Sequence, residues 1–178
     1  TTFDNRLTHR KDTTLLIVAA FSSMLISSSI GTAALAYFGI LPNDKIIDGW
    51  LTWWVGDSVG VLLSAPLLLT LKTSELKNPK NYKSEKIIWF FTIVSTASAL
   101  FLSHFKADTI PQFAFLFIPF IAWGSLRFSI QFSSFAVMVL AVIASYGASI
   151  GHGIFAALEE NSGLTLLWSF ITATAIIN

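Results

Sequence analysis

One carboxylate inside an apolar stretch is the residue of this sequence best placed to do chemistry. Asp57 follows Trp53 and Trp54 in a long, mostly apolar run that begins near Trp50. A charge at the centre of a membrane helix costs about 2.5–3.5 kcal/mol on insertion scales, so Asp57 is expected to face other helices or water. Two roles remain open. Asp57 and the two tryptophans form a ligand-binding or signal-sensing site, or Asp57 holds helices in register through hydrogen bonds.

Small residues recur at four-residue spacing around this carboxylate. Gly56, Gly60 and Ser64 follow this pattern, and residues three and four apart share one face of a helix. We assign Gly56, Gly60, Pro66 and Arg127 to structural packing; for the two glycines the reason is that small residues let membrane helices approach closely. Three other segments carry similar ridges of small residues: Ser23, Ser27 and Gly31; Ser95, Ala99 and Ser103; Ala141, Ser145 and Ser149.

The remaining polar residues give weaker indications of chemistry. Arg127 is interpreted as a structural anchor at the cytoplasmic end of its helix, with a latch to a cytoplasmic element as the alternative. His104 and His152 lie in two different loops that are predicted to be outside, and no helix carries two histidines, so we expect no metal site and no cofactor. The chain has no cysteine, no phosphate-binding glycine loop and no catalytic motif of a known hydrolase. A net charge of +1 provides no basic surface for nucleic acid.

Composition places all of these residues in a membrane protein. Hydrophobic residues make up 54% of the 178 residues, charged residues 12%, and the mean hydropathy is +0.70. A soluble domain carries roughly 25% charged residues. The sequence therefore predicts an all-α, polytopic transmembrane helix bundle formed by residues 1–178 as a single domain in the lipid bilayer. Its six apolar segments are Thr14–Ile40, Trp50–Leu71, Ile87–Ser103, Ile110–Leu126, Ile130–Ile150 and Leu164 to the end.

The distribution of lysine and arginine predicts the orientation of these segments. Cytoplasmic loops of membrane proteins carry the excess of both residues. Loops 41–49, 104–109 and 151–163, predicted to lie outside, contain Lys45 and Lys106. The N-terminal tail, the loop 72–86 and the turn after the fourth segment are therefore predicted to be cytoplasmic. They hold Arg6, Arg10, Lys11, Lys72, Lys77, Lys80, Lys83, Lys86 and Arg127.

Four parts of the sequence carry a resemblance to a known family: Trp50–Gly60 followed by Ala65–Leu69, Pro119–Phe128, Gly151–Phe155 and the N-terminal Asp4–Asp12. They resemble the bacterial membrane-associated sensor domain of the MASE family, first type. Ile154 stands where the family pattern has proline. Family domains have about eight helices, so the resemblance implies that this chain is a fragment. Helices upstream and a cytoplasmic output domain downstream are expected to be missing.

The resemblance implies a sensory input domain in the bacterial inner membrane. Such domains precede the output domain of sensor histidine kinases, which belong to two-component systems, or of diguanylate cyclases. The expected partners are therefore this output domain, the lipid bilayer and, through the small-residue ridges, a second copy or another membrane protein. A transporter or channel is the alternative, because Asp57 and Pro66 in one helix would fit a broken-helix substrate site. A scaffold that docks a membrane partner is a third class.

Overall fold

The computed structural model describes residues 10–70, 83–104, 111–156 and 160–177. In these ranges the chain is helical and has no β-strand, which confirms the predicted all-α membrane bundle. Some residues named in the sequence analysis lie outside the described residues. They are the N-terminal run Asp4–Leu7, Lys106 of a predicted external loop, and Lys72, Lys77 and Lys80 of the predicted cytoplasmic loop. The helices are α1 (Arg10–Tyr37), α2 (Ile46–Thr70), α3 (Lys83–Phe101), α4 (Phe117–Arg127), α5 (Ile130–Ser149), α6 (Gly153–Ala156) and α7 (Glu160–Ile177).

Three helical stretches of the described chain are long and apolar enough to cross a membrane: Lys11–Tyr37, Asn43–Thr70 and Ile130–Ala156. Helix α2 alone has 25 residues, or a length of about 38 Å, against a hydrocarbon core of about 30 Å. The six main helices follow the six predicted segments closely. The short helix α6 was not predicted, because its four residues are too few to produce a periodic pattern.

The fourth predicted segment differs from the others in how it is built. It begins with a 3-10 turn, Pro111–Leu116, and continues as α4, which has 11 residues. This α-helix is about 17 Å long, well short of the hydrocarbon core. Pro119 does not break it, because the residue lies in the first turn, where its missing N–H would have no intrahelical partner.

The chain divides into two compact units, Thr1–Ala65 and Pro66–Asn178, with the boundary inside α2. The first unit contains α1, the first part of α2, and the connection between them. Gly39 ends α1 with a φ of +68°, a conformation that glycine adopts without steric cost. The amide of Ile40 then bonds back to the carbonyl of Leu35 at 2.9 Å, and a 3-10 turn at Asn43–Lys45 leads into α2.

The second unit is built around aromatic side chains from four helices. Phe101 of α3 stacks on Phe155 of α6 with ring centroids 5.5 Å apart, and its centroid lies 5.9 Å from that of Phe117 in α4 and 5.7 Å from that of Phe170 in α7. The four rings thus bring α3, α4, α6 and α7 together. Helix α5 completes the core with a row of mostly small buried residues: Ser133, Ser134, Ala136, Val137, Leu140, Ala141, Ala144 and Gly147.

Helix α3 packs with a different face from the one predicted. Its buried residues are Trp89, Ile93, Ala97 and Phe101, one on each successive turn. The predicted ridge of Ser95, Ala99 and Ser103 is exposed. The correction has a physical reason. Large aromatic residues bury 150–250 Å² each, so Trp89 and Phe101 determine which face of α3 turns inward. The small residues lie instead on α5, the helix against which α3 packs.

Candidate functional site

Asp57 lies on the side of α2 that faces α1. It is half-buried, and its Oδ2 accepts a hydrogen bond from the hydroxyl of Ser27 at 3.2 Å. Ser27 and Gly31 belong to the predicted small-residue ridge of α1, and the structure turns both residues toward α2. Within the described residues this is the one hydrogen bond that Asp57 makes, although a carboxylate can accept at about four positions.

The tryptophans around Asp57 connect the same two helices through polar contacts. The indole N–H of Trp54 donates to the backbone carbonyl of Phe21 at 2.8 Å, and that of Trp50 donates to the hydroxyl of Ser29 at 3.0 Å. Trp54 also stacks on Trp50, with ring centroids 5.6 Å apart, and meets the ring of Phe21 edge-on at 5.7 Å. These indole rings therefore bind α2 to α1 by hydrogen bonds as well as by contact area.

Trp53 reaches α1 by a purely steric fit. A Cβ atom built on Gly31 would lie 2.0 Å from Cζ3 of Trp53 and 2.5 Å from its Cε3, so the ring lies directly against the bare backbone of α1. Trp53 as a whole keeps 41% of its surface exposed. We call Ser27, Gly31, Trp53, Trp54 and Asp57 the Asp57 cluster. It brings the three predicted sensing residues together with two residues of α1.

Ser58, which follows Asp57 in the sequence, carries a second polar group whose hydrogen-bonding capacity is not used. Its side chain is fully buried, and its hydroxyl has no hydrogen-bond partner in the described part of the chain. A buried polar group left unsatisfied costs about 1–3 kcal/mol. Ser58 does not stand out in the sequence, because serine is common in the chain and the burial of this residue depends on packing.

The residues assigned to structural packing in α2 occupy different surroundings. A Cβ atom added to Gly56 or Gly60 would find no described atom within 4 Å, so both glycines lie on an open face of α2. Their packing role stays a prediction, and a surface outside the described residues would have to fill it. Pro66 lies inside α2, which continues unbroken to Thr70, and its carbonyl accepts a hydrogen bond from the Thr70 hydroxyl at 2.7 Å.

Arg127 has a partner that the sequence did not indicate. Its Nε lies 2.7 Å from Oε1 of Glu85 and its Nη2 3.2 Å from Oε2, so the guanidinium binds the carboxylate at two points. The pair joins the last turn of α4 to the first turn of α3. Nearby, the indole N–H of Trp89 donates to the carbonyl of Phe120 at 3.0 Å, and its ring lies against the backbone of Gly124. Arg127 thus fastens α3 to α4.

The fold and this cluster define a class: a multi-pass membrane domain with a half-buried carboxylate between two of its helices. The chain belongs to the MASE1 family of membrane-associated sensory domains, whose model matches residues 4–178. The membrane sensor domain inferred from the sequence is therefore confirmed. No curated protein and no solved structure matched the chain.

Proposed function

We propose that this domain detects its signal at the Asp57 cluster and relays it to a cytoplasmic output domain, a histidine kinase or a diguanylate cyclase, in the same polypeptide. Membership of the MASE1 family supports the sensory role. The Ser27–Asp57 hydrogen bond supports the location, because it places a carboxylate with unfilled acceptor positions between two membrane helices. The positive-inside charge distribution supports an inner-membrane orientation with the N-terminal tail in the cytoplasm.

The chemistry of Asp57 restricts the signals that the cluster can accept. An ionised carboxylate in an apolar environment is costly unless donors satisfy its oxygens. Ser27 supplies one donor, so a bound molecule with N–H, O–H or cationic groups, or a proton, would supply what is missing. The exposed face of Trp53 offers such a molecule a flat apolar surface beside the carboxylate.

The same contacts provide a route from signal to output. The Asp57 cluster and the Trp54–Phe21 hydrogen bond hold α1 and α2 together through side chains. A ligand that takes the place of the Ser27 hydroxyl would favour a different arrangement of the two helices. A signal can shift the equilibrium between two helix arrangements only by its difference in affinity for them. That difference arises here because the ligand and the Ser27 hydroxyl would compete for the same carboxylate.

Transport is the competing function, and the course of α2 argues against it. Transporters commonly bind substrate where a membrane helix is interrupted, and Pro66 marked the predicted interruption. Helix α2 runs without a break from Ile46 to Thr70. Uptake assays in vesicles would separate the two functions, because a sensor should not move a solute.

The test uses the protein with its output domain in membranes, with output measured under conditions that switch the wild type. Asp57→Asn keeps the shape and accepts the Ser27 hydrogen bond but removes the charge. It should fold and remain fixed in one output state. Asp48→Asn is the matched control, since Asp48 lies in the first turn of the same helix with 72% of its side chain exposed. Normal switching by a well-folded Asp57→Ala protein would refute the proposal.

A further inference from the structure

Two histidines from different parts of the chain lie side by side in the second unit. His104 follows α3, and His152 lies in the turn between α5 and α6. Their ring centroids are 3.8 Å apart, with an angle of 61° between the planes. His104 is exposed and His152 half-buried, so solvent reaches the pair. In the described part of the chain, neither imidazole makes a side-chain hydrogen bond, which leaves ring nitrogens available for coordination.

The backbone around the pair fixes this neighbourhood. The amide of Gly153, next to His152, donates to the carbonyl of Ser103, next to His104, at 2.8 Å. The amide of His152 also donates to the carbonyl of Gly147 at 2.8 Å. Each histidine thus adjoins a residue of the hydrogen bond that joins the two segments, so the backbone holds positions 104 and 152 next to each other.

Glycine makes this close approach possible. A Cβ atom at Gly147 would lie 1.9 Å from the carbonyl oxygen of Phe101, and one at Gly153 would lie 2.4 Å from the same atom. Gly153 and Gly151 also have φ angles of +80° and +73°, a region that other residues rarely adopt. The sequence therefore uses three glycines to bring the end of α3 against the turn that carries His152.

We propose that His104 and His152 bind a divalent transition-metal ion such as Zn²⁺, Ni²⁺ or Cu²⁺, with water completing the coordination shell. Neutral imidazole is a preferred ligand of these three ions. Within the described residues no group of three or more histidine, cysteine, aspartate or glutamate side chains could hold a metal, so the described chain supplies two ligands. Two ligands and open positions suit an exchangeable ion.

Binding requires a local rearrangement. Each imidazole nitrogen would lie about 2.0–2.1 Å from the ion, so the two rings would stand on either side of it and farther apart than they are now. The backbone hydrogen bond between Gly153 and Ser103 would remain, and the exposed His104 ring would rotate outward. The expectation from the sequence was that no metal site exists, because no helix carries two histidines. The pair arises only when two segments meet.

The test is a competition between the purified chain in detergent and a chromophoric chelator for Zn²⁺. The wild type should take up one Zn²⁺ per chain. Loss of a group that only hydrogen-bonds a metal ligand weakens metal affinity roughly 10–100-fold, and loss of a ligand itself should weaken it at least as much. His104→Gln and His152→Gln should therefore each weaken Zn²⁺ affinity by at least about tenfold. His9→Gln is the matched control, since it removes the third histidine of the sequence and should leave the affinity unchanged.

A second measurement needs no variant at the site. Electron paramagnetic resonance of Cu²⁺ bound to the His9→Gln protein should show two imidazole nitrogens on the ion, which decides the question even if His104→Gln or His152→Gln fails to fold. Unchanged Zn²⁺ affinity in a folded His104→Gln/His152→Gln double variant would overturn the proposal, as would fewer than two imidazole nitrogens on Cu²⁺. The result is independent of Asp57, which lies in the first unit.

Discussion

Arg127 and Glu85 form a two-point ion pair between the last turn of α4 and the first turn of α3, with N–O distances of 2.7 and 3.2 Å. The planar guanidinium matches both oxygens of the carboxylate, a geometry that lysine cannot reproduce. Arg127 therefore connects two helices of the domain itself, whereas the sequence suggested an anchor to lipid or a latch to another cytoplasmic element.

The first prediction concerns this pair. The side chains of Arg127 and Glu85 keep 42% and 27% of their surface exposed, so solvent screens the attraction and the coupling should stay near or below about 1 kcal/mol. Arg127→Lys and Glu85→Gln should each lower the melting temperature in detergent slightly. The double variant should lose less stability than the sum of the two single losses, because each single change already breaks the pair. Lys45→Ala, which removes the longer and more exposed Lys45–Asp48 pair at 3.9 Å, should have no effect. Additive losses would show that the pair contributes nothing.

The second prediction compares two glycines. Gly31→Ala forces a methyl group into the ring of Trp53, and overpacking of this kind costs about 1–3 kcal/mol. Gly60→Ala places its methyl group in open space and should be neutral or stabilise α2 by about 0.5–1 kcal/mol, because alanine favours helix more than glycine does. Thermal unfolding in detergent measures both. Destabilisation by Gly60→Ala would place that glycine at a contact made outside the described residues.

The third prediction tests the hydrogen bond between Ser27 and Asp57. Ser27→Ala removes a donor to the carboxylate, and a typical hydrogen bond contributes about 0.5–1.5 kcal/mol, with the lower end expected at this exposed contact. In a double-mutant cycle, Ser27→Ala should therefore cost less in an Asp57→Ala background than in the wild type. Ser23→Ala is the control, since Ser23 lies one turn earlier and its hydroxyl bonds the carbonyl of Ala20 in its own helix. Equal costs in both backgrounds would contradict a direct bond.

The fourth prediction concerns orientation and uses the absence of cysteine from the sequence. Single cysteines can be introduced without removing any native thiol. On intact cells a membrane-impermeant maleimide should label Lys45→Cys and should not label Ser84→Cys, because the excess of lysine and arginine predicts a cytoplasmic location for the second position. Permeabilised cells provide the control, where both positions should react. The reverse labelling pattern would invert the predicted topology.

The sequence predicted the helices well because their signal is local. Long apolar segments with polar ends define α1, α2 and α5, and Asp57 stood out as a charge inside one of them. Contacts between segments were not predictable in the same way. Glu85 lies within the predicted loop 72–86, and nothing in the surrounding sequence points to Arg127. Ser58 likewise became notable only through its burial. Each depends on how the helices pack, which periodicity does not encode.

The contact of Trp53 with Gly31 also has a consequence for how the sequence can vary among relatives. A side chain at position 31 and an indole at position 53 cannot share the same space, so position 31 accepts a larger residue only where position 53 carries a smaller one. Relatives that acquire a larger residue at position 31 should carry a smaller one at position 53. In a library that randomises both positions and is selected for function, the two should covary, while position 60 should accept substitutions independently.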